Sequence, residues 1–304
     1  MKTQVITSAA AIALFSACNS VEQIDIPASE PPVETGGLVE VEVLDYSPAP
    51  GQFVNVLPAY EKGDDSRSMC LKAQKSLNSG KDVSLGAWGG SITIKISKAI
   101  ENIDGYDFRV RGNAYTSGVD KDGLSYGSCE PGIVEVMCDD NDNGLPDDTW
   151  YELRGSRYDE AVRGLTVTFH EPLPDATNEQ YIQWTASDGA AGWINRVDSY
   201  HKQPFFPQWL APVQSITFTG VRLPDNGRFN ELTGRYDLYN WQGYADSYPD
   251  LDEKSALDIS SAVDTDGRFV HLERIHFVRI TTGVLQCNGP LGECSTEVSG
   301  IEVL

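Results

Sequence analysis

After its first eighteen residues the chain has no apolar run long enough to cross a membrane, so that part carries no transmembrane helix. Histidine is scarce, with four in 304 residues, and methionine scarcer, with three. GxSxG, HExxH, P-loop and dinucleotide fingerprints are all missing. That leaves no motif-borne signal for acyl transfer, zinc proteolysis or nucleotide chemistry. The six cysteines include no CxxC pair, which removes the support for thiol-redox or zinc-ribbon chemistry. Basic residues are also short: 23 Lys and Arg against 45 Asp and Glu, a net charge of -22. Such a balance argues against nucleic acid or anionic lipid as a partner. Carboxylates are abundant enough to supply a glycosidase pair, but none is marked out by its surroundings.

What is present begins with MKTQVITSAAAIALFSAC. Lys2 gives a basic start, Val5 to Phe15 is an apolar and small-residue run too short to span a bilayer, and Ser16-Ala17 precede Cys18. This is the pattern of a secretory signal peptide. The cysteine directly after the small pair makes it similar to a bacterial lipoprotein signal, cut after residue 17 and acylated on Cys18. The alternative is an ordinary secreted protein cut at Ala17. The expected location is therefore the outer membrane, lipid-anchored and facing the cell surface. Removing Lys2 with the signal leaves 22 basic residues against 45 acidic ones. Residues 18–37, rich in Pro, Glu and Ser and without periodicity, read as a disordered stalk.

From Leu38 the chain alternates. Val39 to Val43, Ser91 to Ile96, Asp107 to Arg111, Ile133 to Val136, Leu165 to Phe169, Ser215 to Phe218 and Ile275 to Ile280 all show period-2 patterning between turn-forming clusters. This predicts an all-β, antiparallel sandwich or barrel over 38–304. One short helix is expected over Asp64 to Leu77. Residues of about 177–253 have thinner strand signal and crowded aromatics, read as a long loop insertion in a single domain. In an exported protein Cys129/Cys138 and Cys287/Cys294 are the natural disulfide candidates by proximity, leaving Cys70 over.

Two constellations could carry chemistry. Asp139 to Glu152 (DDNDNGLPDDTWYE) places oxygens at Asp139, Asn141, Asn143 and Asp147, with Gly144 at the turn, the Leu145 carbonyl behind it and Glu152 downstream. Alternating oxygens in a tight loop suit Ca²⁺, which takes six to eight of them. An EF-hand would carry Glu where Trp150 stands, so the loop is closer to short calcium repeats, and a structural calcium ion is expected. The alternative is an Asx-rich turn without metal. Trp193, Tyr200, Phe206 and Trp209, followed by Tyr239, Trp241 and Tyr244, form the candidate ligand surface, because exposed aromatics stack on flat ligands and sugars at little entropic cost. The alternative is that these rings form core.

Three runs carry a resemblance: Ser84 to Ile92 (SLGAWGGSI) with Asp107 to Val110, the close from Leu257 through Ile280 to Val303, and Glu130 to Val136 leading into the loop and Trp150 to Ser156. Together they are similar to galactose-binding-like jelly-roll cell surface lipoproteins of gut-commensal bacteria, some encoded beside corrinoid transporters. The resemblance implies a jelly-roll β-sandwich. It also implies a surface protein that captures a nutrient, a corrinoid such as vitamin B12, for a TonB-dependent transporter. A glycan-binding module of a polysaccharide-uptake system is the alternative, and a surface glycoside hydrolase a more distant one.

Overall fold

A computed structural model of the protein describes residues 37–304. The signal segment, Cys18 and the stalk up to residue 36 lie outside the described residues. Alternation becomes sheet where neighbouring strands alternate in register. Val43, Ile94, Val278 and Val136 lie side by side across four antiparallel strands, and Tyr46, Ile92, Ile280 and Val134 form a second row one pleat along. Such cross-strand rows are the unit of sheet stabilisation. They make Val41–Ser47, Ser91–Glu101, Arg274–Thr282 and Gly132–Met137 most of a six-stranded sheet, completed by Tyr151–Leu153 and Ala262–Val263.

Both rows are buried in one core with Phe108, Val110, Leu257 and Ile301 of a three-stranded sheet (Ala256–Leu257, Phe108–Arg111, Gly300–Val303). The expected helix runs Ser66–Leu77 and adds Met69, Ala73 and Leu77 to that core. Asp65 starts it with a capping box: its Oδ1 accepts from Ser68 N at 2.8 Å, and Ser68 Oγ accepts from Asp65 N at 2.8 Å. Val83–Ser84 and Glu297–Val298 form a two-stranded ladder.

Two four-stranded sheets complete the fold. Ala191–Ile194, Ile182–Ala186, Val162–His170 and Ser215–Arg222 make one, over a core of Val167, Phe169, Ile182, Ile194, Phe205 and Trp88. Trp88 reaches that core from a turn in which Gly86 and Gly89 sit at φ 68° and 86°. Its indole N–H donates to the Val221 carbonyl at 3.0 Å. A Cβ on Gly89 would lie 2.6 Å from Phe218 Cβ, so only glycine lets the turn pass there. The other sheet is Gly227–Asn230, Arg235–Tyr239, Ser125–Ser128 and Tyr115–Val119.

The all-β expectation holds, but the jelly-roll sandwich does not. The strands divide among several small sheets, arranged like a propeller, in place of the two sheets of a jelly roll. Period-2 patterning is the same in any antiparallel sheet, so it identifies strands without choosing their partners. Nor is 177–253 a single long loop. It contributes three strands to the sheet led by Val162–His170, the longest of them the eight-residue Ser215–Arg222, and two short ones to the sheet shared with Ser125–Ser128. No helix among the described residues is long and apolar enough to cross a membrane.

Candidate functional site

The structure separates the aromatic residues that the sequence groups together. Phe206 is buried in the core under Val162–His170. Trp241 and Tyr244 pack edge to face at 6.4 Å inside a third core with Ile133, Leu223 and Val284. Trp209 stacks on Tyr46 at 5.7 Å and leans on Tyr60. Tyr239 lies beside Tyr126 at 6.1 Å, with the Arg228 guanidinium over its ring at 4.7 Å. Tyr200 is 81% exposed, away from any ring of this set. Core packing claims three of the seven, Phe206, Trp241 and Tyr244.

Trp193 alone of the seven lines a large concavity. It opens beside the strands Val162–His170, Ile182–Ala186 and Ala191–Ile194 and measures about 780 Å³. Tyr181, His170 and the amides of Gln180, Gln183 and Gln214 line it with Trp193, and Leu173 stands exposed at the rim. Tyr181 is clamped edge-on by Phe205 at 5.0 Å and covered by Arg196 at 4.1 Å. That clamp gives the groove a rigid wall.

The Asp139–Asp147 loop is internally bonded. Asp139 accepts from Asn143 N at 3.0 Å and Gly144 N at 2.8 Å, and Asn143 Nδ2 donates to both oxygens of Asp147. Asn141 also donates to Asp147 at 3.3 Å. Lys95 donates to the Gly144 carbonyl at 3.0 Å, so a cationic side chain already serves this turn. The Leu145 side chain is exposed. Glu152 does not join the loop; both its oxygens accept from Arg163 on the sheet. Strand register explains this: Glu152 lies opposite Glu135 and Val263 within the six-stranded sheet.

The disulfide candidates are also corrected. Cys70, Cys129, Cys138, Cys287 and Cys294 are all free thiols. Cys129 and Cys138 flank the strand Gly132–Met137, whose six residues span roughly 20 Å at about 3.3 Å each, far beyond disulfide reach. Cys287 pairs across the ladder with Glu293, which places Cys294 one register step away and on the opposite face. Burial pushes the Cys129 and Cys294 thiols up, which keeps them protonated and inert.

A carboxylate cluster that no local pattern announces lies where the small sheets meet. Glu130, Asp246 and Glu297 bring ligand oxygens within 4.8 Å of one another. Asp246 and Glu297 are 3% and 2% exposed, and Glu130 is half-buried. Asp246 adopts φ 50°, a left-handed conformation rare for a side chain other than glycine. Its carbonyl accepts from Glu130 N at 2.9 Å, and its carboxylate accepts from Asn113 N, Ala114 N and Glu297 N at 2.9–3.0 Å. Ser295 donates its N–H to Glu130 and its hydroxyl to Glu297, each at 2.9 Å. A Cβ at Gly112 would come within 2.6 Å of Asp246 Oδ1, so glycine keeps the cradle open.

Burial holds all three carboxyls well above the usual range, and for Glu130 and Glu297 the neighbouring carboxylates add to it. Like charges this close and this dry need either protons or a cation between them. Hard carboxylate oxygens with an adjacent hydroxyl are the donor set of Ca²⁺ or Mg²⁺. The sequence could not expose this cluster: its members are more than fifty residues apart at the closest, and Glu297 sits in a strand buried on both faces.

Glu293, close enough to raise the Glu130 carboxyl, is a separate buried acid. Its Oε1 accepts from Gln52 N at 2.6 Å, while Oε2 has no partner. Burial pushes it up to about 7. A carboxyl raised in the folded state holds its proton better than the unfolded chain does. Its contribution is present at acid pH and is lost as pH rises through about 7. Glu293→Gln keeps an acceptor for Gln52 and cannot ionise. It should gain stability relative to the parent by up to ~3 kcal/mol between pH 5 and pH 8. Paired melting curves across that range check this, and a flat difference would sink it.

No family model matches the chain, and no curated protein matches it closely enough to serve as a relative.

Proposed function

We propose that this chain is a lipid-anchored binding protein of the outer-membrane surface that captures a nutrient for a TonB-dependent transporter, with the Trp193 groove as the capture site. The observation that carries the reading is the groove itself. At about 780 Å³ it falls in the upper part of the range for small-molecule sites, roughly 300–1,000 Å³. Its lining combines Trp193 and the braced, largely buried Tyr181 with three glutamine amides and His170. A corrinoid offers the complementary chemistry: a broad, mostly apolar ring face and a periphery of carboxamides that pair with amides. The strongly acidic surface suits a neutral or cationic ligand. Cys18 and the stalk supply the tether in this reading, and a structural calcium ion at Glu130, Asp246 and Glu297 supplies rigidity.

The test is equilibrium binding of cobalamin to the purified mature protein, by calorimetry or tryptophan quenching. Saturable binding is expected, and Trp193→Ala should weaken it by at least about tenfold, the loss of one stacked anchor. Absence of binding at high micromolar cobalamin would remove the corrinoid reading.

A further inference from the structure

A second concavity, of about 660 Å³, lies on the sheet formed by Gly227–Asn230, Arg235–Tyr239, Ser125–Ser128 and Tyr115–Val119. Register explains how it arises. Leu238 pairs with Gly127 and Tyr239 with Tyr126, but the strand Ser125–Ser128 stops at Ser128. Arg235, Tyr236 and Asp237 therefore pair only with the outer strand, while Tyr115 pairs with Ser128 on the other side. The two flanking strands stand apart, and a gap opens between them. The turn Gly289–Leu291 closes one end, with Leu291 exposed at the rim.

Three tyrosines line the gap: Tyr115, Tyr126 and Tyr236. Tyr236 is braced edge-on by Phe229 at 5.4 Å, and Tyr126 by Tyr239. A Cβ on Gly118 would lie 2.9 Å from the Tyr126 hydroxyl, so glycine leaves room for that ring. The polar lining is balanced in charge, with one arginine, Arg235, and one aspartate, Asp237, the latter already accepting from Asn230 Nδ2 at 2.8 Å. Asn288 also lines the gap. It is 1% exposed, and its Oδ1 packs against Gly227, where a Cβ would collide with it.

We propose that this groove is a binding site for a neutral saccharide. Tyrosine faces fit the apolar C–H faces of sugar rings while their hydroxyls stay free to bond. The balanced lining and the acidic surface both disfavour anionic ligands. The volume suits two or three sugar rings. This site shares no residue with the Trp193 groove, so the two stand or fall separately.

The test uses the mature protein and four neutral oligosaccharides, maltoheptaose, xylohexaose, mannohexaose and cellohexaose, by calorimetry with the matching polysaccharides in affinity gels. At least one should bind with a millimolar or tighter Kd. Tyr236→Ala and Tyr115→Ala should each weaken it roughly tenfold, while Trp193→Ala leaves it unchanged. Tyr115 is exposed, so its variant keeps the fold and serves as control for misfolding at Tyr236. No binding to any of the four, or binding unaltered by both tyrosine variants, overturns the proposal. Cobalamin binding lost in Trp193→Ala but kept in Tyr115→Ala would show that the first groove works independently.

Discussion

At pH 8, EDTA should lower the melting temperature of the mature protein by about 10 °C, Glu297→Gln should remove most of that response, and Asp139→Ala should leave it in place. The expectation rests on where the two acidic clusters sit. In the Asp139–Asp147 loop the carboxylates face solvent and accept from the loop's own amides, with Lys95 close by. Stripping a cation from such a loop costs little. At Glu130, Asp246 and Glu297 the carboxyls bring oxygens within 4.8 Å of one another, and two of the three residues are almost wholly buried. Without a cation the fold must keep protons there at a pH that opposes it, a cost of several kcal/mol given that a pKa unit is worth about 1.4 kcal/mol. At roughly 2–4 °C per kcal/mol for a chain of this size, the shift follows. Differential scanning fluorimetry with EDTA and with added Ca²⁺ measures it. A melting point indifferent to chelator removes the cation from this cluster. A response abolished by Asp139→Ala would move it to the loop.

The second large effect is structural. Glu302 is 2% exposed and pairs in register with Arg109, itself 9% exposed. Arg109 Nη1 meets Glu302 Oε2 at 3.3 Å, and Arg111 Nε approaches the same oxygen at 3.7 Å. Arg109 Nε donates to Ser255 Oγ at 2.6 Å. Glu302→Ala leaves the Arg109 guanidinium buried with a single neutral partner, an arrangement that costs about 3–5 kcal/mol. We expect the melting temperature to fall by roughly 10 °C. The double substitution Arg109→Met with Glu302→Leu should recover most of it, because the pair gains little over well-packed apolar groups of similar volume. Urea denaturation of the three proteins decides the point. A loss below 1 kcal/mol in Glu302→Ala would mean that solvent reaches Arg109 after all.

Individual strands were legible because their side chains announce them. Ile92, Ile94 and Ile96 alternate with Ser91, Thr93 and Lys95, and the strand Ser91–Glu101 forms over them. The helix Ser66–Leu77 was legible because an acidic start at Asp64 and Asp65 precedes apolar residues at helical spacing, Met69, Ala73 and Leu77 among them. The aromatic surface was not. A tyrosine or tryptophan in a list carries no mark of which way it faces, and burial took Phe206, Trp241 and Tyr244 into cores while Trp193 stayed at a groove. Tyr115 and Tyr126 lie outside the aromatic-rich segment and come to Tyr236 only through strand pairing.

By itself the sequence determined the β character, the helix and the acidic balance, because each is local or compositional. Only the tertiary structure decided that the strands form several small sheets, that the cysteines stay apart, and that Glu130, Asp246 and Glu297 converge. Those outcomes depend on pairing between distant segments. Period-2 alternation leaves such pairing open, since every antiparallel partner satisfies it equally until the cores are packed.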